Sequence, residues 1–535
     1  MAAIKTQTIR HLFSGGWATD YGPVISALPD QTGTVTLPFL IDAENVLFEL
    51  DGGPHKIGGA SKLNASAVAS GAAVTGVYDY WKQGTVASPS RCRVIHAGTV
   101  CMADANNGVF ANIFTGLTAG AIPNYSTFDD LLIIASSATG DLPKQWDQTT
   151  ASNLAGSPPN FAFSCYHKNR QWASGNPAAP SRLYYSINVD PTNWVGAGSG
   201  SIDIDISDGD VITGIVSHQN SLFVFKGPNK GSIHRITGSS PTGSDAFART
   251  TFCQGLGAAG MNSIFRFSDD IGFVSQYGSV HSLAATQNYG DFEEAALSRP
   301  INIGWMQSRL NYNRLANIWA AVDPLREVVY LTASYDSSTT NNYVIAMDYR
   351  LAPNQIRWSK IPAYQCASLG LFVDDNGIRK VLAGGNDGFV RKLNISNRSI
   401  DEINSFSYKV TTPVINYGSP MTMKTIERGS VGINPKGNYD FSFGWKRDNY
   451  SYQTYINNQN GGSVSALGTV SSNPFILGTS TLAGSGYLDK YMEFEEGGEF
   501  RGISYQITDN VLNADLEIHL ISTSITVGTE STENA

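Results

Sequence analysis

Short apolar stretches alternate with gaps rich in glycine, serine and asparagine along most of this chain. In four places a glycine is followed by an apolar residue two positions on and by another three positions further, a pattern that we call the glycine phrase. The copies begin at Gly108, Gly231, Gly278 and Gly388. Each copy follows one apolar run and opens another, which is typical of a β-hairpin with glycine in its turn.

Seven apolar runs between residues 74 and 402 predict hairpin strands of a repeated unit. The runs are Val100–Ala103, Leu131–Ala135, Arg170–Ala173, Leu222–Phe225, Ile271–Val274, Val328–Thr332 and Val381–Ala383. Their spacing of roughly 30 to 60 residues suits four-stranded units. We therefore predict an all-β fold in which residues 71–402 form a β-propeller of about seven blades, with six and eight blades left open.

The regions on either side of this repeat lack the glycine phrase. Residues 1–70 predict an N-terminal extended arm with one or two strands. Residues 403–535 predict a C-terminal β-sandwich-like domain, because alternating strands are separated by polar gaps. Its strands are expected at Tyr439–Trp445, Tyr450–Ile456, Lys490–Phe494, Phe500–Ile507 and Leu516–Val527. Residues 528–535 are expected to form a flexible tail.

Composition and charge narrow the classes of protein that fit. Charged residues make up only 15% of the chain and the net charge is −9, so the basic stripe of a duplex-binding protein is not expected. Five scattered cysteines without a CxxC motif predict reduced, mostly buried thiols in a protein made in the cytoplasm. The first ten residues lack the apolar core of a signal peptide, and no apolar run is long enough to predict a membrane span.

Two glycine-rich segments resemble nucleotide-binding motifs in sequence, but each lacks a feature that such a site requires. Residues 255–260 match GxGxxG, but no room for the required helix follows before the acids Asp269 and Asp270. Gly53 and Gly58 have the spacing of a phosphate-binding loop, but Gly59 stands where that loop needs a lysine. The sequence therefore predicts no bound cofactor, and residues 255–260 are interpreted as a loop between blades.

Four aspartates alternate at Asp203, Asp205, Asp208 and Asp210. The interpretation that we favour is a half-exposed strand with isoleucines inside and acids outside. A structural cation held by these oxygens is the alternative that the sequence leaves open. An EF-hand is excluded, because the twelfth position counted from Asp203 is Gly214 rather than glutamate.

No set of residues predicts a catalytic centre. The eight histidines lack the spacing of a zinc site, and His234 and His281 each follow the first apolar residue of a glycine phrase, which places them at equivalent strand positions in two blades. The pairs Asp129-Asp130 and Asp269-Asp270 are interpreted as turn residues. The nine tryptophans are interpreted as blade core, with sugar stacking as the alternative. We therefore predict no catalytic, cofactor-binding or metal-binding residues and no enzymatic activity.

Several segments together resemble the tail nozzle, or tail hub, proteins of short-tailed bacteriophages, which are also called packaged-DNA stabilisation proteins. They are Gly15-Gly16-Trp17, Asn45-Val46, Lys56-Ile-Gly-Gly59, the Gly255–Gly260 loop followed by Ser263 and Gly278, and the closing segments Arg501–Ile507 and Leu516–Leu520. The last two look like the terminal strand pair of that family.

The resemblance implies a structural virion protein in the phage tail, made in the host cytoplasm. It implies a homohexameric ring that retains the genome and then lets it pass, with double-stranded DNA in the ring lumen and no sequence-specific binding. The implied partners are a portal-adaptor protein and tail fibre, spike or needle proteins. The alternative function is a receptor- or glycan-binding propeller such as a tail fibre or adhesin, and a propeller glycosidase is a third.

Overall fold

The structure is a computed structural model that describes residues 6–84, 90–105, 107–289, 296–352, 354–374, 376–434, 440–448, 453–460, 488–493 and 499–527. The chain divides into two compact units. The propeller unit comprises residues 61–345 and 364–393. The terminal unit comprises residues 1–60, 346–363 and 394–535. The predicted tail at residues 528–535 lies outside the described residues.

The chain begins with short strands and continues with four antiparallel four-stranded sheets. The first strands are β1 (Thr6–Phe13), β2 (Val24–Ile25), β3 (Thr34–Leu37), β4 (Asp42–Glu44), β5 (Val46–Phe48), β6 (Pro54–Lys56) and β7 (Gly59–Lys62). The first two sheets contain β8 (Val74–Lys82), β9 (Ser90–Ala97), β10 (Val100–Asp104) and β11 (Phe110–Phe114), then β12 (Pro123–Phe128), β13 (Leu131–Ser136), β14 (Lys144–Trp146) and β15 (Ala151–Asn153). The next two contain β16 (Phe163–His167), β17 (Arg170–Ser174), β18 (Arg182–Tyr185) and β19 (Gly200–Asp203), then β20 (Val211–His218), β21 (Ser221–Gly227), β22 (Ser232–Thr237) and β23 (Ala248–Gln254).

Three further sheets complete the repeat. The fifth contains three strands, β24 (Ile264–Phe267), β25 (Asp270–Val274) and β26 (Val280–Ser282), and is followed by the helix α1 (Leu283–Tyr289). The sixth begins with the antiparallel strands β27 (Trp319–Asp323) and β28 (Val328–Ala333), and the chain continues through β29 (Tyr343–Asp348) and β30 (Arg357–Ile361). The seventh contains β31 (Ser368–Val373), β32 (Arg379–Gly384) and β33 (Val390–Ile395), with β7 as its outermost strand.

The first strands of the seven sheets form a closed ring. Strands β8, β12, β16, β20, β24, β27 and β31 follow one another around it, β20 meets the turn that leads into β24, and β31 contacts β8 again. Apolar cores fill the spaces between neighbouring sheets, as between the third and fourth, where Trp172, Leu183, Ile215 and Val224 are buried. Seven blades around one axis define a β-propeller, and the predicted fold class is confirmed.

The ring is closed by chain segments from opposite ends of the propeller unit. The backbone N–H of Leu63 donates to the carbonyl of Val390 at 2.7 Å. The Asn64 side chain, which is 3% exposed, accepts from the Val390 N–H at 2.8 Å and donates to the Gly388 carbonyl at 3.1 Å. An N-terminal strand therefore completes the last blade and fastens the start of the propeller unit to its end.

The structure confirms that all four glycines lie in a turn between two strands. The φ angles of the four glycines lie between 74° and 83°, in the left-handed region that glycine tolerates best. The four are Gly108, Gly231, Gly278 and Gly388. Three of them open the third strand of a blade. Gly108 instead opens the fourth strand, β11, because the apolar run at Val100–Ala103 is the third strand of its blade and not the second. The other six predicted runs are second strands.

The remaining strands belong to the terminal unit. They are β34 (Tyr408–Thr411), β35 (Val414–Ile415), β36 (Lys424–Ile433), β37 (Asp440–Arg447), β38 (Gln453–Asn460), β39 (Leu488–Glu493), β40 (Glu499–Phe500), β41 (Ile503–Asp509) and β42 (Ile518–Val527). One sheet has the order β3-β1-β42-β36-β39, and β40 also pairs with β36. Another contains β2-β35-β41-β34-β4-β30, and β37 pairs with both β41 and β38.

Two of these sheets face each other through a buried histidine. His11 on β1 is fully buried, and its Nε2 lies 2.9 Å from the Tyr417 hydroxyl. Its ring also lies 5.4 Å from that of Tyr505 on β41. Burial lowers the pKa of His11 to about 4, although a hydrogen bond with the Ile521 carbonyl acts in the opposite direction. The arrangement of two packed sheets agrees with the β-sandwich-like domain that the sequence predicts.

The sequence predicts three segments, 1–70, 71–402 and 403–535. The boundaries of the two compact units fall elsewhere. The N-terminal segment is part of the same unit as the C-terminal strands, because β1 pairs antiparallel with β42 from Thr6 opposite Thr526 to Leu12 opposite Leu520. The segments that resemble a terminal strand pair, β41 and β42, lie in different sheets. No helix in the described part of the chain is long and apolar enough to cross a membrane.

Candidate functional site: the central cavity of the propeller

The inner strands of the propeller surround a cavity of about 670 Å³. Its lining comes mainly from β8, β24, β27 and β31. Aromatic side chains contribute much of this lining, and they are Tyr78, Trp81, Phe265, Trp319 and Phe372. The volume lies within the range of small-ligand sites. A duplex of nucleic acid is far wider than such a pocket, so only small molecules or single side chains could enter this cavity.

An ion pair lies beside the one exposed tryptophan of the cavity. Asp79 Oδ1 accepts from Arg91 Nε at 2.9 Å, and the Arg91 guanidinium lies 5.6 Å from the centre of the Trp81 ring. Burial raises the pKa of Asp79, while Arg91 and the Val373 N–H favour its charged form. Trp81 is 48% exposed. An exposed aromatic face beside a carboxylate and a guanidinium can stack on a sugar ring and hydrogen-bond its hydroxyls.

Eight of the nine tryptophans are buried, and Trp81 is the exception. Five of the eight lie in the propeller unit, as the blade-core interpretation expects: Trp146, Trp172, Trp194, Trp305 and Trp319. Trp17, Trp358 and Trp445 are instead buried in the terminal unit. All five thiols are free. Burial raises the pKa of Cys92, Cys101, Cys165 and Cys366 to about 12, so these thiols are protonated and poor nucleophiles.

The aspartate run at 203–210 surrounds a cation that the protein itself supplies. The Lys226 side chain is fully buried. Its ammonium donates at 2.8 Å to the carbonyls of Ile204 and Asp205, at 2.8 Å to Asp208 Oδ2, and at 3.3 Å to the Ser181 hydroxyl. Oxygens placed in this way resemble a cation site, and the ammonium of Lys226 occupies it.

The other three carboxylates of the run also have protein partners. Asp203 forms a bidentate pair with Arg182, at 2.6 and 2.9 Å. Asp205 accepts from Arg249 at 2.6 Å. Asp210 accepts from the backbone N–H groups of residues 229–231 and so fixes the turn before β22. The described residues therefore satisfy this run with protein donors alone.

The glycines of the GxGxxG loop allow two backbone segments to lie close together. A Cβ atom at Gly257 would lie 1.7 Å from the Lys226 carbonyl oxygen, a distance that no side chain tolerates. Gly255 has φ of 87°, which also favours glycine. The loop joins β23 to the fifth sheet, as the sequence interpretation expects for a loop between blades.

His234 and His281 occupy equivalent positions in the third strands of two blades, as predicted. In each case Nε2 lies near the hydroxyl of the serine two residues earlier, at 3.0 Å from Ser232 and at 2.8 Å from Ser279. Burial lowers the pKa of both imidazoles, that of His281 to about 4. Neutral imidazoles locked to serines suit a structural role in the blade. Asp129 and Asp130 lie in the turn between β12 and β13, both with positive φ, which confirms them as turn residues.

Acidification is expected to destabilise the propeller unit through His281. An unfolded imidazole gains its proton near pH 6.5, whereas the folded one stays neutral down to about pH 4. The free energy of unfolding should therefore fall as the pH drops from 6.5 towards 4, by roughly 3 kcal/mol at most. Chemical denaturation of His281→Gln across pH 4–8 should show a shallower fall. Above pH 7 both proteins should give parallel curves, and equal slopes below pH 6.5 would contradict this assignment.

No family model matches the chain, and no curated protein matches it. Among solved structures, YCF48 bound to D1 peptide has a TM-score of 0.37 at 9% identity, over 64% of this chain and 98% of that chain. The Cps50 (Swd1) β-propeller domain of Myceliophteria thermophila has a TM-score of 0.37 at 10% identity, over 64% and 100%. A gluconolactonase of Xanthomonas campestris has a TM-score of 0.34 at 12% identity, over 70% and 98%.

Proposed function

We propose that this chain is a structural subunit of the tail nozzle of a short-tailed bacteriophage. In this role copies of the chain form a ring, and the ring holds the packaged genome until it is ejected. The observation that carries the proposal is a group of exposed apolar side chains at an open sheet edge of the terminal unit. The segments that resemble tail nozzle proteins support the same function.

We call three exposed apolar residues near this edge the edge patch: Val24 on β2, Leu28, which lies against Gly418, and Met421, three residues after Gly418. These side chains are 56%, 73% and 75% exposed. Strand β2, which carries Val24, is the outermost strand of its sheet, and the Val414 N–H donates to the Pro23 carbonyl at 2.8 Å. Exposed apolar groups at an unpaired strand edge are costly on a free subunit and favour association with another chain.

A ring subunit also needs a body that resists unfolding under load. The terminal unit ties both ends of the described chain into one sheet, since β1 and β42 pair over seven residues from Thr6 to Leu12. Force on the N-terminal strand is thereby resisted by a whole ladder of hydrogen bonds. The net charge of −9 disfavours tight binding of phosphates, which suits a lumen through which DNA must slide. The proposed neighbours are a portal-adaptor protein and tail fibre, spike or needle proteins.

The edge patch gives a direct test of self-association. We expect the purified chain to form particles near six times its 57.4 kDa mass in light scattering. The double variant Leu28→Asp and Met421→Asp should shift this population to monomers, because charge at an apolar contact opposes association. Val195→Asp, at a propeller position that is also 75% exposed, is the matched control and should leave the ring intact. A ring that survives the double variant would contradict the role of the patch.

The central cavity favours a second candidate, a receptor- or glycan-binding propeller. The supporting observation is the exposed Trp81 ring beside Asp79 and Arg91. For this function we expect an oligosaccharide from a glycan array to bind the chain, and Trp81→Ala to weaken binding at least tenfold through loss of stacking. Tyr277→Ala, which changes an aromatic residue that is 47% exposed, is the matched control. A chain that binds no glycan on the array, or binds equally as Trp81→Ala, would exclude this candidate.

A further inference from the structure

A cluster of histidine and carboxylate side chains lies in the terminal unit, where the hairpin of β5 and β6 meets the chain before β42. His55 is at its centre. Its Nδ1 lies 2.7 Å from Glu49 Oε1 and 3.9 Å from Glu517 Oε2. Its Nε2 lies 2.5 Å from Asp515 Oδ1. We propose that Nδ1 of His55 and the carboxylates of Glu49 and Glu517 bind one Zn²⁺ ion.

The spacing of the three ligand atoms suits a tetrahedral ion. Zinc ligands at about 2.0–2.1 Å from the metal lie roughly 3.3 Å from each other. The two distances from His55 Nδ1, 2.7 and 3.9 Å, fall on either side of that value. The three ligand atoms all lie within 4.8 Å of one another. Small rotations of the two glutamates are enough to place them around the ion, and water completes the fourth position.

The imidazole is already oriented as metal-bound histidines usually are. Such a histidine donates its second ring N–H to a carboxylate, which fixes the ring and increases its basicity. Asp515 occupies that place at Nε2, and the Arg398 Nη2 group also lies 3.0 Å from this nitrogen. Asp515 is in turn held by Arg398, whose Nη2 lies 2.9 Å from Oδ1. The imidazole that binds the ion presents an unprotonated Nδ1, and its single ring proton is on Nε2 beside Asp515.

Glu517 is positioned by its own neighbours. Its side chain is 7% exposed, its Oε1 lies 3.0 Å from His519 Nε2, and its Oε2 accepts from Asn434 Nδ2 at 3.3 Å. The backbone is equally fixed, since the Lys56 N–H donates to the Leu516 carbonyl at 2.8 Å and the Asn434 N–H donates to the Glu517 carbonyl at 3.1 Å. A ligand held in this way loses little freedom when the ion binds.

Charge provides an independent argument for a cation. The cluster gathers four carboxylates, those of Glu49, Asp51, Asp515 and Glu517, around the single guanidinium of Arg398. Carboxylates gathered in a partly buried region repel one another strongly. A divalent ion among them lowers this repulsion. One nitrogen with two carboxylate oxygens is a ligand set that zinc accepts readily.

The site would connect segments that are far apart in the sequence. Glu49 and His55 belong to the N-terminal hairpin, whereas Glu517 precedes β42 near the other end of the chain. A bound ion would therefore stabilise the terminal unit by cross-linking its two ends. This role does not depend on the proposed tail function, because it concerns the fold of a single chain.

The test uses the full, tag-free chain incubated with ZnCl₂ and then dialysed. Elemental analysis should find one zinc per chain, and X-ray absorption should show one nitrogen and two or three oxygens at about 2.0–2.1 Å. Glu49→Gln and Glu517→Gln should each lower the affinity at least tenfold. Asp515→Asn should lower the zinc affinity about 10- to 100-fold, because Asp515 orients the His55 imidazole and is not itself a ligand. Glu327→Gln, on an exposed turn of the propeller unit, is the control and should retain zinc.

Two outcomes would overturn the proposal. One is less than a tenth of a zinc ion per wild-type chain, which would leave the cluster as an ion-pair network without a metal. The other is equal zinc retention by the double variant Glu49→Gln and Glu517→Gln. If a variant unfolds, substitution of Co²⁺ in the wild-type chain decides instead, because its visible absorption reports nitrogen and oxygen ligands in tetrahedral geometry. A spectrum identical to that of aqueous Co²⁺ counts against the site.

Discussion

Replacing Asp509 by leucine is expected to destabilise the terminal unit by about 3–5 kcal/mol. Asp509 Oδ2 lies 2.6 Å from Lys56 Nζ, and both side chains are fully buried. The Lys56 ammonium also lies 4.8 Å from the centre of the Phe406 ring. Burial lowers the pKa of Lys56 and raises that of Asp509, and each partner counteracts this effect on the other. Removal of one partner leaves a buried charge without compensation.

The double variant Lys56→Met and Asp509→Leu separates this explanation from a general loss of packing. It should recover most of the stability, because two apolar side chains of similar size need no buried partner. Lys409→Met is the matched control, since its ion pair with Asp42 is partly exposed and should contribute less than about 1 kcal/mol. Hydrogen exchange of β6 and β41 in denaturant should report these changes for the terminal unit separately. A loss below 1 kcal/mol in Asp509→Leu would contradict the account.

Replacing Lys226 by methionine is the second large expected effect, with a loss of about 3–5 kcal/mol from the propeller unit. Methionine fills a similar volume but donates no hydrogen bond. The carbonyls of Ile204 and Asp205 and the carboxylate of Asp208 would then lose the ammonium that joins them. Buried acceptors left without a donor are costly. The turn between the third and fourth blades should consequently open first.

Lys230→Met, at an exposed lysine four residues away, is the control and should change stability by no more than about 0.5 kcal/mol. Hydrogen exchange of β20 and β21 in denaturant would give both values. If the Lys226→Met chain bound Ca²⁺ and regained its stability, the oxygens of residues 204–208 would act as a cation site once the ammonium is gone. Full stability without any added ion would contradict the importance of this lysine.

The repeat could be predicted from the sequence because its signals are local. A glycine with positive φ and the apolar run after it lie within a few residues, and hairpin turns need this chemistry wherever they occur. The alternation of isoleucine and aspartate before Asp208 predicts a half-exposed strand with the isoleucines inside, but β19 ends at Asp203 and Ile206 is 63% exposed. The side chains of Lys226 and Asp208 form an ion pair. Lys226 lies on β21, and no spacing rule identifies it as the partner.

The features that were missed depend on long-range pairing. Strand β7 completes the seventh blade although more than 300 residues separate it from β33. The sequence predicts that β1 is part of an extended arm, because the residues of β1 alone do not indicate that it pairs with β42. The cluster around His55 was also missed, since the nearest histidine in the chain is far away and its ligands come from both ends. Only the fold brings these residues together.

The proposed tail function is tested most directly by electron cryo-microscopy of purified short-tailed phage virions that contain this chain. On that proposal we expect six copies of a seven-bladed propeller in a ring below the portal and its adaptor, with the edge patch residues Val24, Leu28 and Met421 covered by the neighbouring subunit. Mass spectrometry of the same particles should find this chain in the tail. Virions that lack the chain, or that carry it as separate peripheral copies instead of a ring, would contradict the proposed function.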